Sequence, residues 1–576
     1  LREGQKIKTD ILIIGMGAAG QLAALYAHDA NPDLQIIIAT KALRGKGGCS
    51  RMVQGGFNVV IDPADSHEKH LMDTLKGGQY INDQELAVTL VEQATPTLME
   101  MEARFGCFFD RNPDGTIHQK PFAGQSFDRT VHKGDLTGIE IISRLTEQVM
   151  KRRIPILEEC RALDLLLDSQ GMAVTGALLL NIRHGDFLVV EAKATMVATG
   201  GGPTNYLFHA PGPEKSVDGL AMLYRAGVMM RDMEMVQFHP TGLIIPGSVV
   251  AGALLEEGLR GAGAYLYNGL SERYMKNYAP DVMERATRDV VSRASYIEIM
   301  EGRACEEGGV HIMAAHLGSE FVERSFPGMC ERCHQFGYDL ARGPVPVSPS
   351  AHYIMGGAAI NKDCHTTLER LFVAGEDSGG VHGANRLGGN GICDSCVFGR
   401  QAGKALARYL SAEKGALPDT MPGLVEELME KFSRPFERTT GNSPFPLRDR
   451  LREINWNMVG VVRTEPDLSN AIEQIKAIRE EAQSVSLKGT RAYNMPWNYY
   501  IDLLNMIDVS IMTSHAARMR LESRGAHYRS DYPHQDDQEW LYNIFMKKGK
   551  GDLPEIERRP VKFPFKSLEE CQKYGR

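Results

Sequence analysis

A chain of 576 residues exceeds what one hydrophobic core serves, so roughly two to four domains are expected. With 43% hydrophobic and 24% charged residues, the composition is that of an ordinary globular protein and excludes wholesale disorder. The 65 basic and 73 acidic residues, net charge -8, leave no broad basic surface for nucleic acid, and no run approaches the ~18 apolar residues of a membrane span.

The polar opening, Leu1 to Asp10, lacks a signal-peptide apolar region, although the first residue is not Met. Asp10 to Ile14 then reads as a buried strand, Gly15 to Gly20 as a turn, Gln21 to Asp29 as a helix and Gln35 to Ala39 as a second strand. Two further strand ends lead into polar or glycine exits. Ala194 to Ala198 runs into Thr199-Gly200-Gly201-Gly202, and Leu371 to Ala374 into Gly375-Glu376-Asp377. These signals predict one sheet assembled from residues 1–242 and 346–410, with 243–345 inserted as a separate domain. From about 411 to 540 the pattern turns helical, at Glu426 to Phe432, Leu468 to Ser484 and Tyr499 to Arg524. The tail, 541–576, is rich in Lys, Pro and aromatics and is expected to pack as an extended arm. The ten cysteines are scattered, which is not a secreted disulfide framework, and a cytoplasmic location is expected.

The turn Gly15-x-Gly17-x-x-Gly20 follows a strand and opens a helix. Its first glycine permits the tight turn, the second lets a pyrophosphate approach the backbone, and the third lets helix and strand pack closely. The acidic residue expected ~20 positions later for a ribose hydroxyl is absent, since Leu34 to Lys46 holds no Asp or Glu. A nicotinamide enzyme is therefore disfavoured relative to a flavoprotein.

Several rare strings occur in one order: Gln54-Gly55-Gly56, Gln237-Phe238-His239-Pro240-Thr241-Gly242, Glu257-Gly258-Leu259-Arg260-Gly261, Thr287-Arg288-Asp289, His352-Tyr353-Ile354-Met355-Gly356-Gly357, His382-Gly383-Ala384-Asn385-Arg386-Leu387-Gly388 and Ser523-Arg524-Gly525-Ala526-His527. Over about residues 8 to 540 the chain resembles the flavoprotein subunits of succinate dehydrogenase and fumarate reductase, with the related L-aspartate oxidases. The resemblance implies an α/β fold: a discontinuous Rossmann-like FAD-binding domain with an inserted α+β capping domain and a C-terminal helical domain. It also implies FAD, with Gly15, Gly17, Ala18, Ala19 and Gly20 at the pyrophosphate and Thr40 and Lys41 near the adenosine. Gly47, Gly48, Gln54, Gly55 and Gly56 would line the flavin, and Thr199, Gly200, Asp218, His352, Glu376, Arg386, Gly391 and Ile392 would complete the site. Glu376 suits an acceptor for ribityl hydroxyls.

The same resemblance implies that His239, His352 and Arg386 clamp two substrate carboxylates. Arg288 would donate the proton, with Glu257 and Arg260 relaying it from solvent, while hydride passes at flavin N5. Three positions depart from the family or divide its branches. No His occurs between Asp29 and Ser66, so the usual His–flavin bond cannot form; Gly48 or Cys49 stands there, and noncovalent FAD is expected. Glu256 replaces a hydroxyl residue just before Glu257, where an ionised acid would repel a substrate carboxylate. Phe122 follows the respiratory branch and argues against an amino-acid substrate.

Succinate and fumarate are thus the expected pair, on the flavoprotein subunit of a complex whose iron–sulfur subunit carries electrons. A membrane or quinone-reactive subunit would be a further partner and would place the chain at the inner face of a membrane. The alternatives are reduction of another α,β-unsaturated acid, an L-aspartate oxidase, or a non-enzymatic FAD-holding assembly subunit. No residue is assigned to a metal. Cys330-Glu331-Arg332-Cys333-His334 matches a haem-attachment string once, without an axial partner, and is set aside, as is Cys393-Asp394-Ser395-Cys396 as a redox pair.

Overall fold

The computed structural model describes residues 5–574 apart from 211, 213, 249, 413–415 and 552. The three strand ends read from sequence do share one sheet. Gln5–Ile14 pairs in parallel with Ile36–Ala39 on one side and Asp186–Val197 on the other, and Leu371–Val373 pairs in parallel with the end of Asp186–Val197. Ile156–Leu157 extends the parallel edge, and Val174–Asn181 and Cys160–Leu167 add an antiparallel hairpin at the other. Parallel strands buried on both faces need near-continuous apolar runs, and Ile11 to Ile14 are at most 3% exposed. The helices Ala18–Ala30 and Asn390–Ala412 pack on each other beside this sheet. Because Ile14, Ala39, Val197 and Val373 end in the same direction, the crevice outside their carboxyl ends is where an open parallel sheet binds a ligand.

A second apolar core, from Leu243 to Val347, lies within the inserted segment. It is built on an antiparallel sheet of Val236–Leu243, Pro344–Ile354, Val310–Met313 and Tyr265–Tyr267. The first two of these strands are the chain's way into and out of this cap, and their register shifts at Gln237/Phe238 and between His239 and Gly242.

Helices Leu424–Ser433, Pro444–Met458, Glu465–Ala482 and Met495–Met519 form the helical region. The last starts earlier and ends sooner than the pattern predicts. Asn494 accepts from the Trp497 N–H as N-cap, and Pro496 sits in the first turn, where no N–H is needed. The tail is more than an extended arm. Tyr542–Lys548 and Pro554–Pro560 form a hairpin that joins a five-stranded sheet through Met230–Arg231, and helix Leu568–Lys573 buries Cys571 against Leu71 and Leu75. Among the described residues no helix is long and apolar enough to cross a membrane.

Candidate active site

A cavity of about 710 Å³ opens along the carboxyl ends of the parallel strands and reaches the face of the cap. Gly15, Gly17, Ala18 and Ala19 form one end of its wall. Gly15 has φ +113°, and a Cβ there would lie 2.1 Å from the Ala198 carbonyl, so only glycine fits. Gly20 is not at the wall: its Cβ position lies 2.1 Å from the Gly15 carbonyl, which makes it a packing glycine between helix and turn. The helix Ala18–Ala30 has no side-chain N-cap and no acid in its first turn, so its dipole and peptide donors suit a phosphate.

Thr40 and Lys41 follow along the wall. Lys41 Nζ donates to Asp218 at 2.7 Å and Ser216 at 2.8 Å, and Asn505 Nδ2 donates to Asp218 at 2.7 Å. Burial alone raises the Asp218 carboxyl, yet Arg161 and Lys41 hold it down at about 2. Asp502, on the same helix as Asn505, accepts from Arg161 at 2.6 Å, so the helical region braces this corner of the site.

Further along, Gly47, Gly48, Gln54, Gly55 and Gly56 line one side and Thr199, Gly200, Glu376, Gly391 and Ile392 the other. Glu376 carries partners of its own within the protein. Its carboxylate takes Lys215 Nζ, the Gly202 N–H at 3.1 Å and the Ile354 N–H at 3.2 Å. Cys49 also lines the cavity; burial raises its thiol, and the Lys215 ammonium opposes that shift.

At the cap end the predicted catalytic residues converge. Arg288 Nε and Nη2 both reach Glu257 Oε2, at 2.8 and 2.6 Å. Gln237 Oε1 accepts from Arg288 Nη1 and from Arg386 Nη2, both at 3.1 Å, and so spaces the two guanidinium groups. Burial and the neighbouring Arg288 lower Arg386 to about 10, and its Nε has no partner among the described residues. Glu257 already balances Arg288, whereas Arg386 faces the cavity with no carboxylate hydrogen-bonded to it among the described residues.

His239 and His352 sit on the two strands that enter and leave the cap, with ring centroids 5.6 Å apart. Burial, followed by Arg288 for His239 and Arg386 for His352, puts both well below the ordinary imidazole value. They are neutral at pH 7. The Thr241 N–H donates to His239 Nδ1 at 3.3 Å, which leaves the His239 hydrogen on Nε2 as a donor.

Phe122 closes the other side. A Cβ on Gly55 would meet Phe122 Cζ at 2.6 Å, and one on Gly388 would meet Phe122 Cδ2 at 2.7 Å and Glu257 Oε2 at 2.8 Å. Two glycines therefore let Phe122 pack close against the backbone, and Gly388 does the same for Glu257 and Arg288.

Arg260 departs from its expected place. Its Nη2 is 3.8 Å from Glu257 Oε1, beyond hydrogen-bond reach and without a hydrogen-bond partner among the described residues, and the side chain is 1% exposed, does not line the cavity, and donates to the Glu284 carbonyl. Arg260 thus turns into the cap interior, away from solvent. Glu256 does line the cavity, and Lys120 Nζ donates to it at 3.0 Å. The acid expected to repel substrate carries its own counter-charge.

Comparison with known proteins identifies the family. The FAD binding domain family matches residues 10–392, and the fumarate reductase flavoprotein C-term family matches residues 448–572. The chain belongs to the fumarate reductase and succinate dehydrogenase flavoprotein family. It is 42% identical to an uncharacterized FAD-dependent oxidoreductase of Methanocaldococcus jannaschii, over 94% of this chain and 97% of that one. It is 38% identical to a subunit of the fumarate reductase (CoM/CoB) of Methanothermobacter marburgensis, over 95% and 98%. Among solved structures, FrdA of E. coli quinol fumarate reductase superposes with a TM-score of 0.92 at 30% identity, covering 98% of each chain.

As a member of this family the chain is an FAD-dependent oxidoreductase. The cavity fits that cofactor at its glycine cradle, its helix N-terminus and its buried cations. Sequence reasoning missed Gln237 as the spacer, Lys120 as the partner of Glu256, Lys215 on Glu376, and Asp502 and Asn505 behind Asp218. Each acts through a contact between distant segments, and no local string announces it. The string Cys330 to His334 lies on helix Pro327–His334, where burial raises Cys333 to about 12 while His334 faces outward toward Asp339. Those groups do not converge.

Proposed function

We propose that the chain interconverts succinate and fumarate as the flavoprotein subunit of an electron-transfer complex. The observation that carries this reading is the meeting of Arg288, Glu257, Arg386, His239, His352 and Phe122 in the wall of one cavity. FAD, when bound, supplies the hydride donor or acceptor. The residues do the rest. Arg386 and the two neutral imidazoles bind and orient carboxylates, and Phe122 packs an uncharged carbon unit. Arg288 Nη2, on the Gly388 side, holds the proton for the adjacent carbon. Burial acts to raise the Glu257 carboxyl, but Arg288 and Arg260 hold it below its ordinary value, so it is a carboxylate hydrogen-bonded to Arg288 and able to return a proton to it. Passage must be concerted, because a free guanidine is too basic to accumulate.

Lys120 removes the objection that Glu256 raises against a dicarboxylate. An L-aspartate oxidase is disfavoured by Phe122, and a purely FAD-holding subunit by the intact Arg288–Glu257 pair. FAD is held noncovalently on this reading, since no His lies on the 30–66 segment. All ten cysteines are free thiols and none has iron–sulfur spacing, so electrons pass to a partner subunit or a soluble carrier. Any membrane link then runs through partners. The test is dye-linked turnover with fumarate, methylfumarate, longer enoates and iminoaspartate, for wild type and Arg288→Lys. Fumarate should be the best substrate, and the variant should lose orders of magnitude in turnover with FAD still bound. Near-normal turnover of the variant removes Arg288 from the mechanism, and preference for another acid changes the substrate.

A further inference from the structure

Away from the cavity, three metal-type donors converge in the cap. Helix Arg288–Met300 runs into a loop holding Cys305 and Glu307, and the chain returns as strand Val310–Met313 with His311 at its second position. Cys305 Sγ, a Glu307 carboxylate oxygen and a His311 ring nitrogen all lie within 4.8 Å of one another. His311 Nε2 is 3.7 Å from Glu307 Oε2. A tetrahedral zinc ion with bonds of about 2.0 to 2.3 Å sets its donors roughly 3.3 to 3.7 Å apart, so the imidazole and carboxylate already stand near that spacing.

The turn holds the sulfur in place. The Cys305 N–H donates to the Gly309 carbonyl at 2.8 Å and the Gly308 N–H to the Cys305 carbonyl at 2.9 Å, with Gly308 at φ +86°. His311 is fixed in the sheet by its register opposite Tyr267 and Pro346. The peptide N–H groups of Gly309 and Glu307 stand against the Cys305 sulfur as hydrogen-bond donors. Donors of that kind behind a ligating sulfur are what a metal site uses to orient it. The side chains of Glu307 and His311 are 31% and 28% exposed, which gives a cation a way in from solvent.

We propose that Cys305, Glu307 and His311 form a zinc site in the capping domain, with water in the fourth position. The mixed sulfur, nitrogen and oxygen set selects a borderline-soft cation over magnesium or calcium, which take oxygen ligands. Binding replaces the Cys305 S–H bond by a Zn–S bond and releases that proton to solvent; no electrons change hands. The site clips the loop after the Arg288 helix to the cap sheet.

The test uses untagged, FAD-loaded protein, desalted after incubation with zinc sulfate and analysed for metal, together with competition against a chromophoric chelator. About one zinc per chain should be retained, and Cys305→Ser and His311→Ala should each weaken binding on the order of 100-fold. Cobalt in place of zinc should give a thiolate charge-transfer band that Cys305→Ser abolishes. Dye-linked turnover and FAD content should not change, because none of the three residues touches the cavity. If the buried Cys305→Ser chain folds poorly, the half-exposed His311→Ala variant gives the answer alone. No retained zinc, or equal retention by wild type and His311→Ala, overturns the site.

Discussion

Replacing Lys120 by Met tests whether Glu256 is tolerated because it is neutralised. In the native protein the ammonium lies 3.0 Å from Glu256 Oε1, and the two side chains are 20% and 7% exposed. Methionine keeps the stem and removes the charge. A substrate carboxylate held about 4 Å from the bared Glu256 would then be repelled by about 4 kcal/mol at an effective dielectric near 20. That converts to on the order of a thousandfold in apparent affinity. Steady-state dye-linked fumarate reduction should therefore show a KM raised by two to three orders of magnitude, with a smaller change in kcat and full FAD occupancy. Adding Glu256→Thr to Lys120→Met removes the repulsion and should recover most of the loss. A KM within threefold of wild type for Lys120→Met, or no recovery in the double variant, would refute the pairing as the reason a dicarboxylate fits.

Two further outcomes follow from the packing around the cavity. Gly388→Ala puts a methyl 2.7 Å from Phe122 and 2.8 Å from Glu257, so something must move by about 1 Å; turnover should fall about 100-fold with FAD retained, and unchanged kcat/KM contradicts the placement of substrate there. Burial raises Asp377 to about 6, against the Gly200 N–H and the Thr199 hydroxyl. A carboxyl raised above its unfolded value costs stability as it ionises, so this cost grows between about pH 4 and pH 6 and reaches about 3 kcal/mol above that. Denaturation midpoints of Asp377→Asn should lack that part of the pH dependence; parallel pH profiles for the two proteins would count against it.

Local chemistry is the legible part of the sequence. A glycine needed for a turn shows as a glycine, and Gly15-x-Gly17-x-x-Gly20 can be placed at the end of a strand because apolar runs flank it. The remaining strings, through the family they resemble, imply that Arg288, Glu257 and His352 share a site although their strings are separate in the chain. What stays hidden depends on pairing across distance. Lys120 and Glu256 are 136 positions apart, and either alone reads as a surface charge. The terminal strand Pro554–Pro560 is exposed at most positions and shows no apolar alternation, so its pairing with Tyr542–Lys548 has no periodic signal. The apolar pattern begins at Tyr499, and only the Asn494 cap shows that the helix starts at Met495. The string around Arg260 points to a relay, and only packing shows that this side chain turns into the cap interior.

The two strands that link the cap to the nucleotide domain each carry one of the paired imidazoles, while Arg288 and Glu257 belong to the cap and Arg386 and Phe122 to the other body. On the proposed reading, a carboxylate substrate met by Arg288 from one side and Arg386 from the other would touch both bodies, so the spacing of these two guanidinium groups, set here by Gln237, would decide how well it fits.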